Sequence, residues 1–305
     1  MIGRARPASP SLGQDDLILA SGSLPRIAFE QRVAAAAEAG FVAIGLSVGE
    51  YSRLVADGRD APWMSAVLDR HGLRLAELEV LVGFAAPAQP ADAIPAPGVL
   101  HPNRHLVPRF WDMAEAFGAR HLQAVGTFGT DVLEDDAAAS FAALCDEAAE
   151  HGLLVALEFV PVATNVPDVG VAGRIVAAAD RPNGGLCIDA WHHFRGAHDW
   201  GLLGEVEPDR VFVVQLDDGP ATPDESDFLS DTKRHRRPPG QGEFDLSRFL
   251  RTLWAAGVRA PVSVEVLSEQ LRQEPPGPTA STLAEATRSV LAVAGQGEAQ
   301  REVQP

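Results

Sequence analysis

Residues 137–159 read AAASFAALCDEAAEHGLLVALEF. A helical run over Ala137–Glu150 stops at Gly152, and an apolar β-type run, Leu153–Phe159, begins at once. Glycine just past the last helical residue takes the left-handed conformation that ends a helix, so the stretch is one helix–glycine–strand joint. The joint recurs with Gly40 after AAAAEA, Gly72 after LDRH, Gly118 after AEAF and Gly257 after LWAA. Working outward, strands are expected near Leu17–Ala20, Val42–Leu46, Leu73–Val80, His121–Val125, Leu153–Phe159, Gly185–Asp189, Val211–Gln215 and Val262–Val266. Helices are expected over Phe29–Ala39, Pro62–His71, Val107–Phe117, Ala137–Glu150, Val169–Ala179, Leu246–Ala256 and Thr282–Ala294. Strands alternating with amphipathic helices call for a parallel sheet covered by helices. The expectation is an α/β protein with one domain, a (β/α)₈ TIM barrel over residues 17–294. A doubly wound sheet has the same alternation, but no GxGxxG or GxxxxGK[ST] follows an early strand, which counts against its nucleotide-binding form.

The chain has 305 residues, 46% apolar and 22% charged, a length that suits one large barrel. A formal charge of −17 repels phosphate backbones and anionic membrane surfaces, and only the short Lys233–Arg237 run interrupts it. The expected partner is a small-molecule substrate, with no nucleic acid and no membrane; a homo-oligomer is compatible with the sequence. The two cysteines, Cys145 and Cys187, supply neither a disulfide framework nor a CxxC knuckle, which fits a reducing cytoplasm. The opening MIGRARPASPSLGQDD has no apolar signal stretch, and no apolar run reaches the roughly 18 residues of a membrane span. Residues 1–16 and 295–305 are polar ends expected to be flexible. Two stretches, Phe84–His105 and Asp217–Gly242, are expected as loops too long to be mere connectors, either functional lids or else disordered.

The chemistry lies where polar residues interrupt or close apolar strands, because a carboxylate inside a run such as VALEFVP is costly without compensation. Glu158 is one. GLCIDAWHH puts Asp189 at the end of the sixth strand, VFVVQLDD puts Gln215 at the end of the seventh, and PVSVEVL puts Glu265 inside the eighth. Barrel strands deliver their C-terminal ends to one face, so the four can meet. Three carboxylates there repel one another unless a divalent cation joins them, and oxygen ligands suit Mn²⁺, Mg²⁺ or a similar hard ion. Any one alone could be a buried, hydrogen-bonded acid; four at equivalent strand ends are harder to explain that way. In LAELEVL, Glu77 and Glu79 alternate along strand three; one of the pair is expected to face the barrel interior, and Glu79 lies nearer the C-terminal end. Arg236 and Arg237, in the run RHRR, are candidates for binding an anionic group on a substrate, with a solvated basic patch as the alternative. No GxSxG elbow or activated cysteine constellation occurs, which argues against acyl transfer.

The series Glu158, Asp189, Gln215, Glu265 resembles the metal site of the xylose-isomerase-like barrels, a superfamily of sugar epimerases, hydroxypyruvate isomerases, inosose dehydratases and bacterial 3-dehydroshikimate dehydratases. The resemblance covers about Leu17 to Ala294. Asp189-Ala-Trp-His192 is similar to the family's Asp-x-x-His, which implies that His192 orients substrate or handles a proton. Gln215 stands where most members have histidine, and with the PPGQGEFD turn after strand seven it looks like the hydroxypyruvate isomerase and 3-dehydroshikimate dehydratase branches. Gly240 and Gly242 in that turn permit close approach of the loop to the barrel mouth. The resemblance also implies acid and base roles for Glu158 and Glu265 beside a metal-polarised carbonyl. The expected activity is a metal-dependent isomerase or epimerase of a small hydroxy-carbonyl, sugar-like substrate. A 3-dehydroshikimate dehydratase-like lyase is the first alternative, and a non-catalytic metal- or ligand-binding barrel the second. The related apurinic endonucleases need a histidine series and a basic face that this chain lacks.

Overall fold

The computed structural model describes residue 9, residues 11–87 and residues 100–302, with side chains as far as residue 296. The central part of the Phe84–His105 loop, residues 88–99, lies outside the described residues, as do 1–8, 10 and 303–305.

Eight strands form a closed parallel barrel in sequence order: β1 (Leu17–Leu19), β2 (Ala43–Ser47), β3 (Arg74–Val82), β4 (His121–Val125), β5 (Leu154–Glu158), β6 (Gly184–Asp189), β7 (Val211–Leu216) and β8 (Val262–Val264), which returns to β1. The TIM barrel expected from the repeated joints is therefore present. The main helices are α1 (Phe29–Glu38), α2 (Val48–Ala56), α3 (Ala61–His71), α4 (Val107–Phe117), α5 (Glu134–Glu150), α6 (Val169–Ala179), α7 (Ala190–Arg195), α8 (Trp200–Gly204), α9 (Phe228–Arg234), α10 (Leu246–Ala255) and α11 (Pro276–Glu302).

Local chemistry explains most boundaries. Gly72 and Gly118 take φ of 67° and 62° after α3 and α4, the left-handed conformation that a side chain disfavours. α5 begins three residues before the expected Ala137, because Glu134, Asp135 and Asp136 suit the positive end of the helix. α2, which the sequence did not signal, is capped by Ser47 accepting from the Glu50 amide at 3.2 Å. α9 lies inside the Asp217–Gly242 stretch that was expected as loop. α11 continues past Ala294 to Glu302, through most of the expected tail, and α11 packs against α1 and α10. At the other end, Val262 donates to the Asp16 carbonyl at 3.1 Å, tying the chain just before β1 to β8.

The apolar core lies between barrel and helices, where side chains such as Leu19, Ile44, Phe110, Phe141 and Phe249 are fully buried. Each contributes roughly 1.5–3 kcal/mol by leaving water. Inside the barrel, two small apolar clusters close one part: Ile18, Ala43 and Ala76 form one, Ala156, Cys187, Phe212 and Val213 the other. The interior otherwise carries buried polar side chains from β3 to β8, including Glu77, Gln123, Glu158, Asp189, Gln215 and Ser263. Among the described residues, no helix is long and apolar enough to cross a membrane.

Candidate metal centre

Strand ends place the acids. Glu158 is the last residue of β5, Asp189 the last of β6, Gln215 the next to last of β7. Glu265 follows β8 directly rather than lying inside it, its amide donating to the Leu216 carbonyl at 3.2 Å. One carboxylate oxygen each from Glu158 and Asp189 and a ring nitrogen of His192 lie within 4.8 Å of one another, all buried. His192 Nε2 is 3.1 Å from Glu158 Oε1 and 3.5 Å from Asp189 Oδ2. Asp189 is held from two sides: Oδ1 accepts from the Trp191 amide at 2.7 Å, capping α7, so Oδ2 is left to face the cluster.

Arg236 is the centre's cation. Only 2% exposed, it sends Nη1 to Asp189 Oδ2 and Glu265 Oε2, each at 3.1 Å, and to Asp217 Oδ2. It reaches this position because residues 234–237 are stitched between the ends of β7 and β8: Arg237 and Asp218 exchange backbone hydrogen bonds at 2.8 and 2.9 Å, and the Arg236 amide donates to Leu267 O at 3.3 Å. Extended chain alternates its side chains, so Arg236 points inward while Arg237, 41% exposed, lies 3.8 Å from Asp224. The two arginines expected to share a role are thus separated. The glycines of the PPGQG turn act as anticipated, since Asp218 accepts from the Gly240 amide at 2.9 Å and a side chain at Gly242 would overlap that carboxylate.

Glu79 gives both oxygens to Ser21, through its amide at 2.8 Å and its hydroxyl. The expectation that only one of Glu77 and Glu79 faces inward is corrected. Residues two apart share a strand face, and both are buried, Glu77 accepting from the Ser263 hydroxyl at 2.8 Å. Burial raises the Glu77 carboxyl to about 7; burial together with the charge of Glu77 raises Glu79 to about 7. Glu265 and Asp217 are pushed well up, by burial first and by acidic neighbours second, against the pull of Arg236. The cluster therefore gains from added positive charge.

Three residues of the centre went unmarked in the sequence. Gln123 donates to Glu158 Oε2 at 2.7 Å, Cys187 donates its thiol to Gln215 Oε1 at 3.2 Å, and Asp217 holds Arg236. Gln123 interrupts the apolar run HLQAV just as Glu158 interrupts VALEF, so the same signal was there.

The donor set fits a divalent cation. Four acids, Glu158, Asp189, Glu265 and Asp217, share the centre with one guanidinium, which pairs with the last three, a deficit of positive charge in a dry place. His192 Nδ1 and Gln215 Nε2 are also buried without hydrogen-bond partners among the described residues. A half-turn of the Gln215 amide exchanges its ends and frees its oxygen for a cation.

A sequence profile described as "Xylose isomerase-like TIM barrel" matches residues 33–290. The chain belongs to the xylose isomerase-like TIM-barrel family. Among its relatives, a 3-dehydroshikimate dehydratase of Pseudomonas putida is 27% identical over 194 residues, 63% of this chain and 30% of that protein. The match therefore spans less than a third of that relative's length. An inosose isomerase of Bacillus licheniformis is 30% identical over 199 residues, 62% of this chain and 70% of that protein. In three dimensions the barrel superposes on the zinc-bound IOLI protein with a TM-score of 0.77 at 20% identity, covering 92% of this chain and 99% of that one, a likeness of fold. Relatives in this family are thus enzymes of both isomerase and dehydratase type.

Proposed function

We propose that this family member is a divalent-metal-dependent isomerase or epimerase of a small hydroxy-carbonyl substrate. The observation that carries the reading is the convergence of Glu158 and Asp189 with His192 within 4.8 Å, buried at the barrel's strand ends. Glu158, Asp189, Gln215 and Glu265 would hold the cation, as carboxylate and amide oxygens suit Mn²⁺ or Mg²⁺; the zinc of the IOLI protein makes Zn²⁺ a third candidate. When bound, the cation supplies a Lewis acid that polarises a carbonyl and acidifies the adjoining C–H bond.

The remaining work falls to the side chains. Glu158 and Glu265 act as base and acid, one taking the proton from the carbon next to the carbonyl and the other returning one. Gln123 fixes Glu158 by its 2.7 Å hydrogen bond. His192, 3.1 Å from Glu158 Oε1, is placed to orient a substrate hydroxyl or pass a proton to that oxygen. Burial keeps water from competing for the proton. A cytoplasmic location belongs to the same reading, supported by two buried cysteines that are both free.

The test is deuterium exchange. With Mn²⁺ or Mg²⁺ in D₂O, a cyclic hydroxy-ketone such as an inosose should gain deuterium next to its carbonyl, read by mass spectrometry. Glu158→Gln or Glu265→Gln should slow this about 10²–10⁴-fold. Binding of such ketones without any exchange would overturn the assignment. The Pseudomonas putida relative favours a second reading, a dehydratase of 3-dehydroshikimate type. Loss of a β-hydroxyl after the same proton abstraction would give an aromatic product, seen by its absorbance.

A further inference from the structure

Arg236 is the one guanidinium or ammonium group within salt-bridge distance of the strand-end acids among the described residues. It would be the natural counter-ion for a substrate carboxylate or phosphate, were it free. Asp217 takes that role instead. Fully buried, it accepts from Arg236 Nη1 through Oδ2, while its Oδ1 has no hydrogen-bond partner among the described residues. The guanidinium is anchored behind as well, with Nε 3.3 Å from the Thr232 carbonyl and its plane against Trp191 at 5.4 Å.

Charge counting gives the consequence. The carboxylates Glu158, Asp189 and Glu265 carry three negative charges, and a divalent cation leaves one. Arg236 alone would cancel that remainder. A guanidinium keeps its proton, and with Asp189 and Glu265 committed to the cation, Asp217 is the carboxylate left to face it. The pair is neutral and the centre stays negative. Among the described residues, neighbouring cations do not change the sum: Arg234 lies 3.3 Å from Glu225 and 3.7 Å from Glu269, and Arg237 lies 3.8 Å from Asp224.

We infer that Asp217 is a specificity-determining residue, which by neutralising Arg236 reserves the centre for an uncharged hydroxy-ketone and turns away one that bears a carboxylate. Asp217 acts through Arg236 and so positions rather than catalyses. The inference rests on the metal centre proposed above and narrows its substrate class.

Two cyclic hydroxy-ketones serve as probes, an uncharged inosose and the carboxylate-bearing 3-dehydroshikimate, titrated calorimetrically into the Mn²⁺-loaded full chain. The wild type is expected to bind the inosose at least tenfold more tightly. Asp217→Asn should shrink that preference at least tenfold by tightening the carboxylate probe, and Asp217→Glu should restore it. Asp217→Ser serves if the Asn variant does not fold. Equal binding of both probes by the wild type overturns the inference, as does an unchanged preference in the variants, a parallel weakening of both probes, or no binding of either. Exchange of deuterium is scored separately: selectivity that follows Asp217 without any exchange would sink the proposed isomerase and leave the role of Asp217 standing.

Discussion

Gln123 on β4 donates its side-chain amide to Glu158 Oε2 on the neighbouring strand β5 at 2.7 Å. The other oxygen, Oε1, is thereby aimed at His192, 3.1 Å away. A hydrogen bond to a ligating carboxylate fixes its orientation, and losing such support typically costs 10–100-fold in metal affinity. Gln123→Met keeps the volume and removes the donor. Mn²⁺ titration should then show binding weaker by about 10–100-fold. An unchanged dissociation constant would mean that Glu158 is oriented without Gln123.

Glu77 sits between the Ser263 hydroxyl at 2.8 Å and His121 Nε2 at 3.3 Å, wholly inside the barrel. Burial lifts its carboxyl from 4.5 to about 7, and burial holds His121 well below the usual imidazole range, so just below pH 7 both are neutral. The folded chain thus keeps a proton that the unfolded chain releases above 4.5, and stability falls as pH rises from there to about 7. Such a rise corresponds to roughly 3 kcal/mol. Glu77→Gln removes the titrating group, so urea denaturation should show a smaller loss of stability between about pH 5 and about pH 8. The same loss in both proteins would assign the pH dependence elsewhere, with Glu79 next in line.

How much of this was legible depended on where each residue falls in its element. Glu158, Asp189, Gln215 and Glu265 stood out because each breaks an apolar strand, and burying a polar group there needs a reason. Asp217 follows β7, where a polar residue is ordinary, so nothing marked it. Arg236 is one of five consecutive basic residues, and its inward direction comes from its own bond to Leu267 and from the pairing of Arg237 with Asp218, contacts set by the closed barrel. α9 has seven residues, FLSDTKR, too short for a periodic signal; the Asp227 cap at 2.8 Å and tertiary packing hold it. The barrel was readable because helix–glycine–strand joints repeat, whereas β8 ends at Val264, short of the apolar run that suggested Val266.

Gly45 on β2 faces the Glu79 carboxyl so closely that a methyl group would overlap Oε1 and lie 3.2 Å from the Ser21 amide. The absent side chain is what lets Glu79 reach Ser21. Gly45→Ala should force that carboxyl off its two donors and destabilise the fold by about 1–3 kcal/mol. In a Glu79→Ala background the added methyl has room, so the double variant should be more stable than the sum of the single effects predicts, by at least about 0.5 kcal/mol. Strict additivity in urea denaturation would show that the glycine serves the backbone irregularity between Ile44 and Gly45 instead.

Asp231 on α9 joins the Asp217–Gly242 segment to the wall of the centre. Its Oδ2 accepts from Arg195 Nε at 3.1 Å, and its Oδ1 accepts from the Asp224 and Glu225 amides at 3.0 and 3.3 Å. Arg195 lies against Trp191 at 4.5 Å and Phe244 at 5.0 Å, so its charge is enclosed, with a side chain only 4% exposed. Removing one member of a buried pair leaves the other charge uncompensated, and Asp231→Ala should cost about 3–5 kcal/mol. Asp231→Asn separates the two duties, since its amide oxygen can still serve the Asp224 and Glu225 amides while the charge is gone. If enclosure of Arg195 dominates, Asn should be nearly as damaging as Ala in urea denaturation. If the backbone bonds dominate, Asn should recover most of the loss, and cleavage between residues 221 and 227 in limited proteolysis should appear for Ala alone. Equal stability of Ala and wild type would remove Asp231 as the anchor of the segment.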